Sequence, residues 1–240
     1  MSTPKAYGSL KQECYELNME IPRRKLALYT WGNVSVIDRA AGVFAIKPSG
    51  VPYDELRIED IVIVDLDAQV VEGLLKPSSD ARTHAVLYRS FDGIGGIVHT
   101  HSCYAVAWAQ ALMPIPIFGT THADHTVHAI PCTPPMADER IDGDYEEETG
   151  VQIVEHFREL NLSPHETQMV LVGSHGPFAW GISGAKAVYN AVVLEELAKM
   201  AFITRQLNPT APPLKEAIRR KHYERKHGPN AYYGQPRTKE

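Results

Sequence analysis

Leu10, Cys14, Leu17 and Ile21 recur at i, i+4, i+7 and i+11. That spacing predicts an amphipathic helix over Leu10 to Pro22, ended by the proline. After the turn Thr30-Trp31-Gly32-Asn33, the runs Val34 to Ile37 and Val43 to Ile46 predict a hairpin around Asp38 to Gly42. Ile61 to Val64 is continuously apolar, as expected of a strand buried on both faces, and Val70 to Gly73 follows as a further strand. Pro77-Ser78-Ser79-Asp80 is a start signal for a helix over Ala81 to Phe91. Gly95-Gly96 then leads into a strand, Ile97 to His101, and a short apolar helix, Tyr104 to Leu112. Residues 113–135 are proline-rich and irregular, and Asp138 to Glu148 reads as an acidic loop. Thr149 is expected to cap a helix reaching Leu160. Met169 to Val172 is a strand closed by the turn Ser174-His175-Gly176, and Ser183 caps a long helix to about Arg205. The irregular alternation predicts an α/β fold in which hairpins are mixed with crossovers.

Composition narrows the class. The chain has 240 residues, 44% apolar and 22% charged, which suits a single large globular domain over 1–240. The formal charge of −5 argues against nucleic acid or an anionic membrane as the main partner. No apolar run reaches membrane-spanning length, and Met1 to Leu10 has no signal-peptide character. Cys14, Cys103 and Cys132 are an odd count without a CxxC, so reduced thiols and a cytoplasmic location are expected.

The eleven histidines are unusual, and they cluster. His99 and His101 at i and i+2 of a strand point to one face and could share a metal ion, or be partly buried groups hydrogen-bonded to backbone. His175 also follows an apolar strand, and three histidines with open positions make a catalytic rather than a structural site. Asp80 reads as an N-cap taken alone. Ser78-Ser79, Ser49-Gly50 and Gly32-Asn33 are small polar turns that, with Lys47, would suit a phosphate held by hydroxyls and amides. There is no GxxxxGK[ST] nucleotide loop. Asp124 lies in the polar loop Thr120 to Asp124, a candidate acid/base or a turn former. Tyr233 follows a segment, Lys215 to His227, with six Lys/Arg against two Glu.

The segments Thr30 to Ser35, Lys47 to Val51, Lys76 to Asp80, Gly96 to His101, Gly119 to Asp124, Ser174 to Gly181 and Lys226 to Gln235, taken in order, resemble the sugar-phosphate epimerases of the class II aldolase/epimerase superfamily. The resemblance spans about residue 10 to Gln235. It implies a three-layer α/β/α fold around a mostly antiparallel sheet. It also implies a homotetramer with fourfold symmetry and sites between subunits, where the tail of about 208–240 docks. It implies a zinc ion, with manganese or cobalt as substitutes, held by His99, His101 and His175 with Asp80 as a fourth ligand. Gly32, Asn33, Lys47, Ser49, Gly50, Ser78 and Ser79 would line the substrate and phosphate pocket. Asp124 and Tyr233 would be the acid/base pair, with Thr120, Glu146 and His222 near them. The implied reaction interconverts L-ribulose 5-phosphate and D-xylulose 5-phosphate by retro-aldol cleavage, as arabinose and ascorbate breakdown both use. Two alternatives are an aldolase on a deoxyketose 1-phosphate and a metal-free scaffold domain of the same fold. The related aldolases carry Glu after the paired serines, where this chain has Asp80, and the scaffold should have lost the three histidines.

Overall fold

A computed structural model describes residues 7–229 and 231–233. The end of the expected tail, 234–240, lies outside the described residues. Seven strands form one sheet: β1 (Asn33–Asp38), β2 (Val43–Ile46), β3 (Val62–Asp65), β4 (Val70–Glu72), β5 (Gly96–His99), β6 (Met169–Val172) and β7 (Gly176–Gly181). Their order is β4-β3-β2-β1-β5-β7-β6, and every neighbouring pair is antiparallel. The helices are α1 (Gly8–Arg23), α2 (Ala81–Ser90), α3 (Cys103–Gln110), α4 (Thr120–Ala123), α5 (Asp138–Ile141), α6 (Tyr145–Glu159), α7 (Gly184–Leu207) and α8 (Glu216–His227).

Strand alternation builds the layers. Phe44, Ile46, Val62, Val64, Ile97, Phe178 and Trp180 face one side, where α2 and α6 pack. Val34, Val98, Leu171 and Ala179 face the other, under α3 and α7, while Val43, Ala45 and Ile63 lie with Cys14 of α1. This is the expected three-layer α/β/α fold. Each fully buried Phe or Ile contributes roughly 1.5–3 kcal/mol. Gly96 lets α7 approach the sheet: a Cβ there would stand 2.4 Å from the Gly184 Cα.

Several local expectations change. Pro22 lies inside the last turn of α1 rather than ending it. The acidic stretch is helical, because α6 starts at Tyr145 with Asp144 as N-cap and three glutamates in its first turn. Those carboxylates favour the helix N-terminus. Thr149 is therefore interior, its hydroxyl donating to the Tyr145 carbonyl at 2.8 Å. β5 stops at His99, so His101 belongs to the following turn. β7 is a strand that the sequence pattern did not reveal, with Pro177 one residue into it. The basic segment is α8, and none of its residues is buried.

Candidate active site

One rim of the sheet collects the expected residues. There β5 ends opposite the start of β1, with Asn33 paired to His99, and His99 also pairs with Phe178 of β7. Ser174 turns the chain between β6 and β7 at φ 60, a left-handed backbone that few L-residues adopt. The strain places His175 beside the other two histidines. Gly32, at φ +77, is equally constrained, since a Cβ on it would stand 2.6 Å from the His99 carbonyl oxygen.

His99, His101 and His175 bring one ligand atom each to within 4.8 Å of one another. His99 is buried, His175 half-buried and His101 exposed, so the cluster opens to solvent from a rigid base. His99 Nε2 and His101 Nε2 are 3.1 Å apart. Two nitrogens bound to one tetrahedral zinc stand about 3.3 Å apart. His99 Nδ1 donates to the Pro177 carbonyl at 3.0 Å, which leaves its Nε2 lone pair free for an ion. Burial, with His99 nearby, pushes His175 down to about 4, and burial likewise lowers His101. Both are neutral at neutral pH, the form a ligand needs. The residues present therefore fit a divalent ion.

Asp80 borders the triad without belonging to the tightest cluster. It precedes α2 but makes no side-chain cap; Asn33 Nδ2 donates to its Oδ2 at 2.6 Å. Burial pushes the carboxyl up, but His99, His84 and the Asn33 bond outweigh it and hold it below the ordinary range.

The three polar turns meet. Ser49 N donates to the Lys76 carbonyl (3.0 Å) and Ser78 N to the Lys47 carbonyl (2.9 Å), around an antiparallel bridge between Pro48 and Pro77. Asn33 Nδ2 also donates to Ser78 Oγ at 3.1 Å. Ser49, Gly50 and Ser79 are exposed or half-buried at this edge, whereas Lys47 is buried. Lys47 Nζ lies 5.0 Å over the Tyr53 ring, and burial pushes it down to about 8. The Tyr53 hydroxyl donates to the Gly32 carbonyl at 2.9 Å, tying the lysine to the glycine turn.

Asp124, Tyr233 and His222 form a second cluster. Asp124 ends α4, and His222, Arg225 and Lys226 of α8 reach its carboxylate at 3.0, 2.9 and 3.2 Å. Tyr233 is exposed, with its ring under the Arg225 and Lys226 side chains. Thr120 opens α4 and is exposed. Glu146 lies in the first turn of α6, where its carbonyl accepts from Thr83 Oγ1. Among the described residues no hydrogen bond joins this cluster to the histidine triad.

A family model described as the class II aldolase and adducin N-terminal domain matches residues 12–202. The chain belongs to the class II aldolase family. This family member is 52% identical over 226 residues to a protein named L-ribulose-5-phosphate 4-epimerase UlaF from Salmonella paratyphi C (strain RKS4594), covering 94% of this chain and 98% of that one. A protein of the same name from Salmonella typhi is 51% identical with the same coverage. Among solved structures, an L-fuculose 1-phosphate aldolase is similar at a TM-score of 0.78 and 25% identity, covering 94% of this chain and 97% of that chain. An L-fuculose-1-phosphate aldolase from Thermus thermophilus is similar at 0.65 and 26%, covering 85% and 98%.

The site of this class II aldolase-family chain also holds residues that sequence reasoning missed. Tyr145 brings its hydroxyl to 3.4 Å from His175 Nδ1, and Tyr53 supports Lys47. His84 is fully buried beside Asp80. None sits in a motif. Only His84, ahead of Ala85-Val86-Leu87, adjoins an apolar run; Tyr53 and Tyr145 lie in polar segments.

Proposed function

We propose that this chain is a metal-dependent epimerase interconverting L-ribulose 5-phosphate and D-xylulose 5-phosphate. Asp80 carries the reading. Its carboxylate is held by Asn33 at 2.6 Å and is too short to swing as a proton shuttle, so the proton transfers fall to other residues. The full-length likeness to proteins of that name supports the same conclusion.

The C4 hydrogen of a 2-ketose is not acidic, since the carbonyl is two carbons away. Inversion at C4 therefore runs through the C3–C4 bond. A base takes the C4 hydroxyl proton, the bond electrons pass to the ketose fragment, and glycolaldehyde phosphate is released within the site. The aldehyde turns, and re-addition from its other face gives the epimer. His99, His101 and His175, with Asp80, would hold a divalent ion, which when bound would supply Lewis-acid stabilisation of the developing negative charge. Such a donor set suits zinc, with manganese or cobalt as substitutes.

The chain's own groups do the rest. Ser49, Gly50, Ser78 and Ser79, with Gly32, Asn33 and Lys47 behind them, hold the phosphate while the aldehyde end rotates. Asp124 and Tyr233 move protons on opposite faces, with Thr120, Glu146 and His222 beside them. The whole chain, 1–240, works as one unit in the cytoplasm, as a homotetramer with fourfold symmetry. Each α8 brings Asp124 and Tyr233 to a neighbour's histidines. That no hydrogen bond among the described residues joins the two clusters within one chain supports this arrangement, as does an α8 without a buried residue.

Incubation with L-ribulose 5-phosphate, with D-xylulose 5-phosphate followed by a coupled assay, tests the reading. Formation of the xylulose ester is expected. Accumulation of free aldehyde and dihydroxyacetone without it would instead favour an aldolase.

A further inference from the structure

Two histidines of the triad are steadied by a partner on the ring. His99 Nδ1 meets the Pro177 carbonyl at 3.0 Å, and His175 Nδ1 meets the Tyr145 hydroxyl at 3.4 Å. Outer hydrogen bonds of this kind fix ring orientation at ion sites. His101 has no such partner. Among the described residues its ring has one neighbour at hydrogen-bond distance, His99 Nε2 at 3.1 Å, which is itself a ligand of the same cluster. The approach of His101 to the cluster is therefore set by its backbone.

That backbone is short. β5 ends at His99 and α3 begins at Cys103, so Thr100, His101 and Ser102 make the whole turn. Gly32 and Gly176 close on it from the sheet side. A Cβ on Gly32 would stand 3.2 Å from the Thr100 Cα, and one on Gly176 2.9 Å from the Thr100 carbonyl oxygen. On the helix side Ser102 is the N-cap of α3 but makes no side-chain cap; its Oγ accepts from the Thr100 hydroxyl at 3.3 Å. Val106 N donates to the Ser102 carbonyl at 2.9 Å, and the N–H groups before it have no helical acceptor. Glu195 of α7 takes two of them. Tyr104 N donates to its Oε1 and Ala105 N to its Oε2, each at 2.9 Å. These are the second and third helical positions, which a capping side chain ordinarily serves. A carboxylate also suits the positive end of a helix.

The cap of α3 thus comes from far along the chain, on a helix that also packs against β5 and β7. Those strands carry His99 and follow directly on His175. Trp108 Nε1 donates to the Ala198 carbonyl at 3.0 Å, so α3 is fixed to α7 near both of its ends. We propose that Glu195 is a positioning residue of the ion site: by holding the first turn of α3 it fixes the Thr100–Ser102 turn, and with it the approach of His101 to His99 and His175. The inference rests on the triad as the ion site of the proposed epimerase. It adds that ion affinity depends on a carboxylate outside the histidine cluster, acting through two backbone N–H groups.

The test compares wild type, Glu195→Ala, Glu195→Gln and a control, Ser183→Ala, each first shown to melt cooperatively. The control removes another helix cap, since Ser183 Oγ accepts from Lys186 N at the start of α7. Zinc affinity is read by competition with a chromophoric chelator, and the geometry at the ion by the visible spectrum of the Co2+-loaded protein. Glu195→Ala should bind zinc roughly 10- to 100-fold more weakly and shift the cobalt bands. Glu195→Gln keeps one acceptor oxygen and should lose a smaller part. Ser183→Ala should melt earlier but keep the wild-type affinity and spectrum. Wild-type affinity and spectrum in Glu195→Ala would overturn the proposal, as would an equal loss in Ser183→Ala, which would reduce the effect to general loosening. If Glu195→Ala does not fold, Glu195→Gln decides, and an unchanged affinity and spectrum there overturns it. Neither readout involves a sugar phosphate, so failure here and failure of the epimerase reading are seen separately.

Discussion

Arg225 holds both carboxylate oxygens of Asp124 at 2.9 Å, across 101 positions of the chain. Lys226 and His222 also reach the carboxylate, and His227 Nε2 meets the Asp124 carbonyl at 2.9 Å, so four residues of α8 tie it to Asp124. Burial pushes the Asp124 carboxyl up, but Arg225, His222 and Lys226 outweigh it and hold it below the ordinary value of about 3.9. A carboxyl lowered on folding stabilises above its unfolded pKa and loses that contribution as pH falls through the folded one. Hydrogen exchange in 216–227 should therefore be slow at pH 6 and accelerate only below about pH 4. In Asp124→Asn it should be fast throughout, while the sheet stays protected. Equal α8 protection in both proteins would show that the tether lies elsewhere.

The ion site should be separable from the fold. Elemental analysis is expected to find one divalent ion per chain in wild type and little in His99→Asn. Chelation should abolish turnover and leave far-UV circular dichroism unchanged, because two apolar layers hold the sheet without help from the ion. Equal metal in both proteins, or unfolding on chelation, would contradict this.

Lys47 predicts an alkaline limb. No carboxylate pairs with it among the described residues, and burial alone lowers it to about 8. The charged form exists below that value, so kcat/KM for a phosphate substrate should fall as pH rises through about 8. Lys47→Arg should move the limb upward, since guanidinium keeps its proton. Lys47→Met should lower kcat/KM at neutral pH by ten- to a hundredfold, roughly one to three kcal/mol, and lose the limb. Retention of the limb in Lys47→Met assigns it to another group.

Subunit mixing tests the shared site. Tyr233→Phe and His99→Asn should each be nearly inactive alone. Mixed tetramers should regain activity wherever an intact triad meets an intact tyrosine. Confirmed mixed tetramers without any gain would place Tyr233 within its own subunit's chemistry.

Much of this was legible in the chain because the periods were clean. Val34 to Ile37, Val43 to Ile46 and Ile61 to Val64 became the central hairpins within a residue or two. β7 was hidden because Pro177 and two terminal glycines obscure any alternation in Gly176 to Gly181, and only its neighbours make it a strand. Strand alternation places His99 and His101 on one face only if the strand runs through both; His101 lies beyond β5, and the turn brings the two rings together. The acidic run before Thr149 misled because glutamates that read as loop also favour a helix start. His84, Tyr53 and Arg225 gave no local signal, since their hydrogen-bond partners lie 21 to 101 residues distant.

An α8 without a buried residue, tied to Asp124 by charge, makes Tyr233's share of the proposed reaction a detachable part. A chain clipped ahead of Glu216 would keep its sheet, its apolar layers and its histidines. In the proposed tetramer it would offer its neighbours no Tyr233. Each clipped chain would silence one site, a neighbour's rather than its own, so activity would fall in step with the fraction of molecules cut while the dead sites sat on intact chains.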